Sequence, residues 1–458
     1  PFPFNEEILE ECADDLLYKI LECKPVVQGG DTLSDQVIFA GIPGIDQYKH
    51  LELQTSEGWP LSLLRPPGVS GKSWLFDYEA NEKDPSLGRV LKGLKPEFQE
   101  LLDHNMGLRR EGKIPFTLFF DTLKDARVSK EKLFKPGSTR VFSVAPVETT
   151  WTFKKYFGHF QAAYYANKID NEAAMGIDAD SLDWTRILRK LIEVEGENFI
   201  TGDYKAFGDT LSTQAMYWAF EIIVRWYEHH YPQNENQELR RLLAHELLHP
   251  HHLAGNTVYR MYCGIPSGFP LTVELNSLVN CLYMRYVWKV GTKRPLSDFN
   301  RYVRLLVYGD DLVINVADKV KDQFDFFTVQ RTLACHNVIF TDSSKQSRNS
   351  SKKFESLHEI TFLKRSFVKH PSRANFWLGP LPEQSIYEML NWTQNNVDYI
   401  SSGLENSRAS LNCAYGRGPV FYEALRKKLR KYWADVKIPG TVLNSLSWQE
   451  RDREIFDC

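Results

Sequence analysis

Two runs rich in β-branched and apolar residues, Arg304-Leu305-Leu306-Val307-Tyr308 and Leu312-Val313-Ile314-Asn315-Val316, flank Gly309-Asp310-Asp311. The pattern predicts strand, tight turn and strand, with two carboxylates at the tip. Earlier in the chain, Ile8, Leu9, Cys12, Leu16, Leu17 and Ile20 keep helical spacing over residues 6–22, and Gly/Pro-rich loop chemistry follows to about Gly71. Residues 95–110 return to a helical pattern, and Pro115 to Phe120 reads as a strand. A charged helical pattern covers Ile169 to Glu195, Phe199-Ile200 begins a buried strand ending at Asp203, and Ala215 to Tyr227 has the apolar spacing of a helix. Beyond it, a Gly/Pro/Ser loop from Gly264 to Pro270 runs into a helix on which Thr272, Asn276 and Asn280 share one face. Helices are also expected from about Thr328 to His336 and, after about His370, over Phe421 to Trp433. The chain has no internal repeat and no low-complexity block.

With 458 residues and 43% hydrophobic content, two to four packed units are expected. A net charge of −3 gives no overall basic signature, so any surface for nucleic acid must be a local patch. One is present: between Lys124 and Phe142, Lys124, Arg127, Lys130, Lys132, Lys135 and Arg140 face only Asp125 and Glu131. Cations alternating around a Pro-Gly turn suit a triphosphate or a phosphate backbone, although a solvated loop would look the same. Seven scattered cysteines without a Cys-x-x-Cys pair point to a reducing, cytoplasmic setting. The opening residues contain no basic n-region and no long apolar run, which predicts neither signal peptide nor anchor and suggests a product cut from a larger precursor.

The candidate chemistry is carboxylate chemistry. Adjacent acids repel, and a chain that puts Asp310 and Asp311 side by side at the end of two buried strands usually has a cation there. Asp203 ends another strand, and Asp209 lies past its turn, where it could face a ligand held by the first acid. A competing signal is His245-Glu246-Leu247-Leu248-His249, the His-Glu-x-x-His pattern of zinc peptidases. Pro250 ends that helix at once, and only Glu274 offers itself as a third ligand.

Taken in order, the basic loop, the Asp203 strand, the Ser267-Gly268 loop-helix with Thr272 and Asn276, the Tyr308-Gly309-Asp310-Asp311 hairpin and Phe362-Leu363-Lys364-Arg365 resemble motifs F, A, B, C and E of a known family. That family is the RNA-dependent RNA polymerases of picorna-like positive-strand RNA viruses. The motifs span residues 124–367, and Thr55-Ser56-Glu57-Gly58-Trp59-Pro60-Leu61 resembles the family's Thr-Ser-Pro-Gly-Tyr-Pro fingers element. Asp-Tyr-Lys-Ala-Phe-Gly in motif A hints at an insect-virus branch.

The resemblance implies an α+β fold shaped as a closed right hand. Its expected parts are fingers over 1–196, palm over 197–211 and 259–369, a fingers insertion over 212–258 and a helical thumb over 370–458. Asp203, Asp310 and Asp311 would hold two Mg²⁺ ions, with Mn²⁺ able to substitute. Lys345, in the motif D counterpart Thr341-Asp342-Ser343-Ser344-Lys345, would protonate the leaving pyrophosphate. Lys124, Arg127, Lys132 and Arg140 would line the entering triphosphate. Asp209, Ser267, Thr272 and Asn276 would check the ribose 2′-hydroxyl, while Gly268, Tyr308, Lys364 and Arg365 would contact RNA or primer. The family's second motif A acid usually lies five residues after the first; here Gly208 holds that place and the acid is Asp209. The implied partners are RNA template and primer, ribonucleoside triphosphates, a small protein primer and other viral replication proteins. The implied location is the host cytoplasm, with only indirect association with membranes. The rival readings are a zinc metallopeptidase, a reverse transcriptase and a non-catalytic RNA-binding scaffold.

Overall fold

The computed structural model describes residues 2–80, 88–125, 130–135, 137–342, 352–393, 398–437 and 445–457. It divides into two compact units. The first comprises Pro1–Asn171, Tyr204–Val290 and Leu333–Ile339, and the second Glu172–Asp203, Gly291–Thr332 and Phe340–Cys458.

In the first unit a four-stranded sheet runs in the order Val141–Val144, Leu118–Leu123, His251–Ala254, Thr257–Arg260. The central pair is parallel and the outer pairs are antiparallel. The strand expected at Pro115–Phe120 is displaced to Leu118–Leu123. Proline has no N–H to give a sheet, so pairing starts beyond it. The helix Val147–Ala166 has no amphipathic period in the sequence because it is buried on nearly every side, from Trp151 and Phe153 to Phe160 and Tyr164. A helix enclosed all round shows no polar stripe. Trp151 packs with Phe76 and Phe98 in a core that also takes Leu33, Phe39 and Leu75.

The second unit is built on a sheet in the order Phe340–Thr341, Phe199–Tyr204, Asp311–Val316, Val303–Tyr308. Its central strands are buried along almost their whole length, as expected when both faces are covered. Of the helical pattern expected over Ile169 to Glu195, only Leu182–Leu191 is helical in this unit. Ile169 and Glu172 take left-handed φ angles of 74° and 66°, which break the helix before it begins. Toward the C-terminus, helices Tyr399–Ala414, Pro419–Asp435 and Trp448–Phe456 pack around Leu411, Tyr415, Leu425 and Trp433. Among the described residues no helix is long and apolar enough to cross a membrane.

Candidate active site

The hairpin forms as its pattern predicts. Tyr308 pairs with Asp311, leaving Gly309 and Asp310 as a two-residue turn, and Gly309 takes the positive φ of 62° that such turns require. The neighbouring strand pairs antiparallel with the hairpin from Phe199 opposite Asn315 to Gly202 opposite Leu312. One more step of that register sets Asp203 beside Asp311, so three acids share one end of the sheet. Asn315 fixes this register from inside, donating to Leu191 O and Gly196 O and accepting from the Asn198 N–H. Gly202 has no substitute: a Cβ there would lie 2.0 Å from the Phe340 ring.

Asp311 shows what the cluster demands. Its Oδ2 accepts the Leu363 N–H at 2.7 Å. Burial nevertheless pushes its carboxyl up to about 6, and the charges of Asp310 and Asp203 push the same way. Leu363 and Lys364 both hold positive φ in a tight turn closed by Phe362 and Arg365, which aims that N–H at the acid. Lys364 is exposed. Arg365 corrects the primer-binding expectation: it is buried, paired with Asp180 at 2.7 Å and bonded to Gly379 O, so its guanidinium is committed inside the unit. Tyr308 at the strand end is partly exposed.

Among the described residues no three His, Cys, Asp or Glu side chains are gathered closely enough to ligate one ion. A magnesium-type site does not need such a cage, because it takes one or two carboxylates and completes its shell with water and substrate phosphates. The donors here are hard oxygens with excess negative charge, and the raised Asp311 carboxyl marks a place where a cation would be stabilising. The residues fit a divalent metal.

The first unit carries the other expected site residues. After Ala206 in left-handed conformation (φ 53°), Asp209 lies exposed on the single helical turn Phe207–Thr210. That turn is tied to the following loop by Gly264 N–H to Leu211 O and Ile265 N–H to Gly208 O, at 2.9 and 2.8 Å. Ser267 is exposed, and its Oγ accepts the Ser143 N–H at 3.1 Å. Gly268 donates back to Ser143 O at 3.0 Å. The polar stripe splits into three roles. Thr272 Oγ bonds backbone oxygens of Phe269 and Pro266 in the loop, and Asn280 is buried against the Tyr204 hydroxyl. Asn276 keeps a buried Oδ1 with no partner among the described residues. Lys124 and Arg140 are exposed and adjacent, with Lys124 N–H bonded to Arg140 O at 2.8 Å. Arg127, Lys345 and the Lys132 side chain lie outside the described residues.

The zinc-peptidase pattern fails on geometry. The helix Gln237–Leu248 ends before His249, whose φ of −140° is extended. The two histidines are therefore not one turn apart on a helix. Glu246 is buried and paired with Arg109. Glu274 is fully enclosed and hydrogen-bonded to Gln161. A feature with no sequence signal is a cavity of about 430 Å³ in the first unit, lined by Lys72, Lys154, Thr55, Ser56, Phe142 and Gly268. Two lysines 82 positions apart in sequence carry no motif.

The family model for viral RNA-dependent RNA polymerase matches residues 10–435. The chain belongs to that family. Over 454 residues it is 37% identical to the genome polyprotein of Deformed wing virus, covering 98% of this chain and 15% of the polyprotein. Over 390 residues it is 31% identical to the replicase polyprotein of Drosophila C virus, covering 81% and 21%. The chain thus spans between a seventh and a quarter of these relatives. Among solved structures it is similar to the Sicinivirus 3Dpol RNA dependent RNA polymerase, with a TM-score of 0.75, 18% identity, and coverage of 100% of this chain and 85% of that one. The polymerase fold is a right hand of mixed helix and sheet, and membership in the family implies divalent-metal catalysis.

Proposed function

We propose that this polymerase copies an RNA template by adding ribonucleotides to a primer 3′-hydroxyl with release of pyrophosphate. The observation that carries the proposal is the placement of Asp203, Asp310 and Asp311 at one end of adjoining antiparallel strands, with Asp311 raised by burial and by its neighbours' charge. In this reading the palm is 197–211 with 259–369, the fingers are 1–196 with the insertion 212–258, and the thumb begins at 370.

Asp203 and Asp310 would hold two Mg²⁺ ions, or Mn²⁺ in their place, and Asp311 would assist from beneath, steadied by the Leu363 N–H. When bound, the ions would favour the alkoxide of the primer and neutralise charge on the triphosphate. The protein's own task is positioning. Arg140 and Lys124 present exposed cations to phosphate, and the guanidinium fork makes Arg140 the stronger contact. Arg127, Lys132 and the proton donor Lys345 complete this assignment by resemblance. Asn276 supplies the ribose test: a buried oxygen without a donor gains a hydrogen bond from a 2′-hydroxyl and stays unpaired opposite a deoxyribose. Asp209 and Ser267, both exposed, join this role by resemblance; Thr272 is assigned to shaping the loop. Gly268, Tyr308 and Lys364 are left to touch RNA.

The lysine cavity fits the template. Lys72 is 6% exposed, and among the described residues no hydrogen-bond acceptor meets its ammonium group; burial draws both Lys72 and Lys154 down to about 8. Lys154 Nζ donates to Lys49 O at 2.9 Å, and an RNA phosphate entering there would offset the charge of both lysines. The chain would act in the host cytoplasm beside other viral replication proteins, starting from a small protein primer. The test is templated choice: on primed RNA with a single templating base, only the complementary ribonucleotide should extend the primer. Extension that ignores the template would reject the proposal in favour of terminal transfer.

A further inference from the structure

In the first unit, one carboxylate ties four strands together. Asp121 Oδ1 accepts from Ser143 Oγ at 2.7 Å and from His252 Nδ1 at 2.9 Å, and its Oδ2 accepts from the Tyr259 hydroxyl at 2.5 Å. The acid and its three donors come from the four strands of that sheet, one from each. Its side chain is 5% exposed and that of His252 is 1% exposed. Burial alone would raise the Asp121 carboxyl, but the Tyr259, His252 and Ser143 bonds together hold it below the usual aspartate range. Asp121 is thus held as an anion by donors that have no other acceptor of comparable strength. His252 is pinned between the Phe119 and Tyr259 rings, at centroid distances of 5.6 and 5.2 Å. Among the described residues its Nε2 is buried without a partner, so the ring takes its orientation from Asp121 and the stack.

Ser143 is the outlet of this cluster. Its hydroxyl is spent on Asp121, its N–H reaches Ser267 Oγ and its carbonyl accepts the Gly268 N–H. The adjoining Val144 makes a parallel bridge with Gly268. The approach is close enough that a Cβ on Gly268 would lie 2.2 Å from Ser143 O. The rotamer of Ser267 is therefore set by a backbone N–H whose residue is fixed by Asp121. Ser267 is exposed and its Oγ accepts here, so its O–H is left to donate to a ligand.

We propose that Asp121, with His252 and Tyr259, is a positioning residue that sets the Ser267–Gly268 turn through Ser143, and thereby sets ribose selection. The proposal rests on the nucleotide-contact role assigned to Ser267 above. It adds that the accuracy of this contact is stored in a buried carboxylate that touches no substrate.

The test uses the full chain with Asp121→Asn, and Tyr259→Phe as a milder variant that removes one donor. Two readouts are taken: hydrogen exchange of peptides covering residues 264–270, and the ratio of kcat/KM for a ribonucleotide over its deoxy analogue. Opening the Gly268 N–H bond should speed its exchange in Asp121→Asn by about tenfold, and a slackened Ser267 should cut the selectivity ratio by about tenfold while kcat with ribonucleotides falls less. Tyr259→Phe should move both readouts in the same direction by a smaller factor. Unchanged exchange in both variants overturns the proposal, whether or not the chain synthesises RNA. Selectivity lost in Ser267→Ala but retained in Asp121→Asn also overturns it, and leaves the polymerase reading intact. A wild type that makes no RNA would count against the polymerase reading, and the exchange readout would still decide whether Asp121 holds the turn.

Discussion

Replacing Glu246 separates a structural account from a catalytic one. In the structure this acid is part of a buried set: Arg109 donates from Nε and Nη2 to the two oxygens of Glu246 at 3.0 Å each, and from Nη1 and Nη2 to Glu148 at 2.5 and 3.2 Å. Thr117 Oγ1 also bonds Glu246, and the Arg109 side chain is fully enclosed. Burial raises the Glu246 carboxyl, and Arg109 counters that rise. Glu246→Ala strips two of the guanidinium's four bonds to carboxylates in a place water does not reach, a loss of about 3–5 kcal/mol. Spread over an unfolding entropy of about 2.1 cal/mol/K per residue, this lowers Tm by roughly 3–5 °C. Glu246→Gln keeps one acceptor and should cost less, about 1–2 kcal/mol. Urea denaturation followed by circular dichroism gives both numbers. Refutation would be an Ala variant as stable as wild type, above all if it lost a chelator-sensitive peptidase activity.

Glu274 gives a pH signature. Burial pushes its carboxyl up to about 7 from 4.5, against the Gln161 amide. A raised pKa means that stability is whole below about pH 4.5 and is lost as pH rises through about 7, by roughly 3 kcal/mol in all. Glu274→Gln should flatten the fall in Tm between about pH 5 and about pH 8; equal slopes in both proteins would contradict the burial argument. Gly202→Ala drives a methyl into the Phe340 ring beside the hydrogen bond from the Thr341 hydroxyl to Asp203 O, so it should cost about 1–3 kcal/mol and slow single-turnover incorporation. Asn276→Ala removes the unpaired acceptor and should raise the relative use of deoxynucleotides about tenfold, read as a ratio of kcat/KM.

What the sequence reveals and what it conceals divide along physical lines. The Gly309-Asp310-Asp311 turn and the strand carrying Asp203 were legible because short apolar runs bounded by turn residues are a local signal. The helix Val147–Ala166 was not, since burial on all sides removes its period. Arg365 reads as a cation free for a primer until its partner Asp180, far off in sequence, is brought against it. The split of Thr272, Asn276 and Asn280 into loop contact, open acceptor and core bond also depends on long-range partners, Tyr204 among them. Lys72, Lys154 and the Asp121 cluster gain meaning only from strands and helices that meet in space. Motif order carried the family; side-chain roles needed coordinates.

The central claim is that the acids of the central sheet run metal-dependent nucleotidyl transfer. The most direct measurement is single-nucleotide incorporation on a primed RNA template by wild type, Asp203→Ala and Asp310→Ala over a titration of Mg²⁺. The account predicts extension by wild type that rises with Mg²⁺ and stops with a chelator, and a loss of at least about a thousandfold in each variant with its fold retained. Incorporation that persists in either folded variant at the wild-type rate would contradict it.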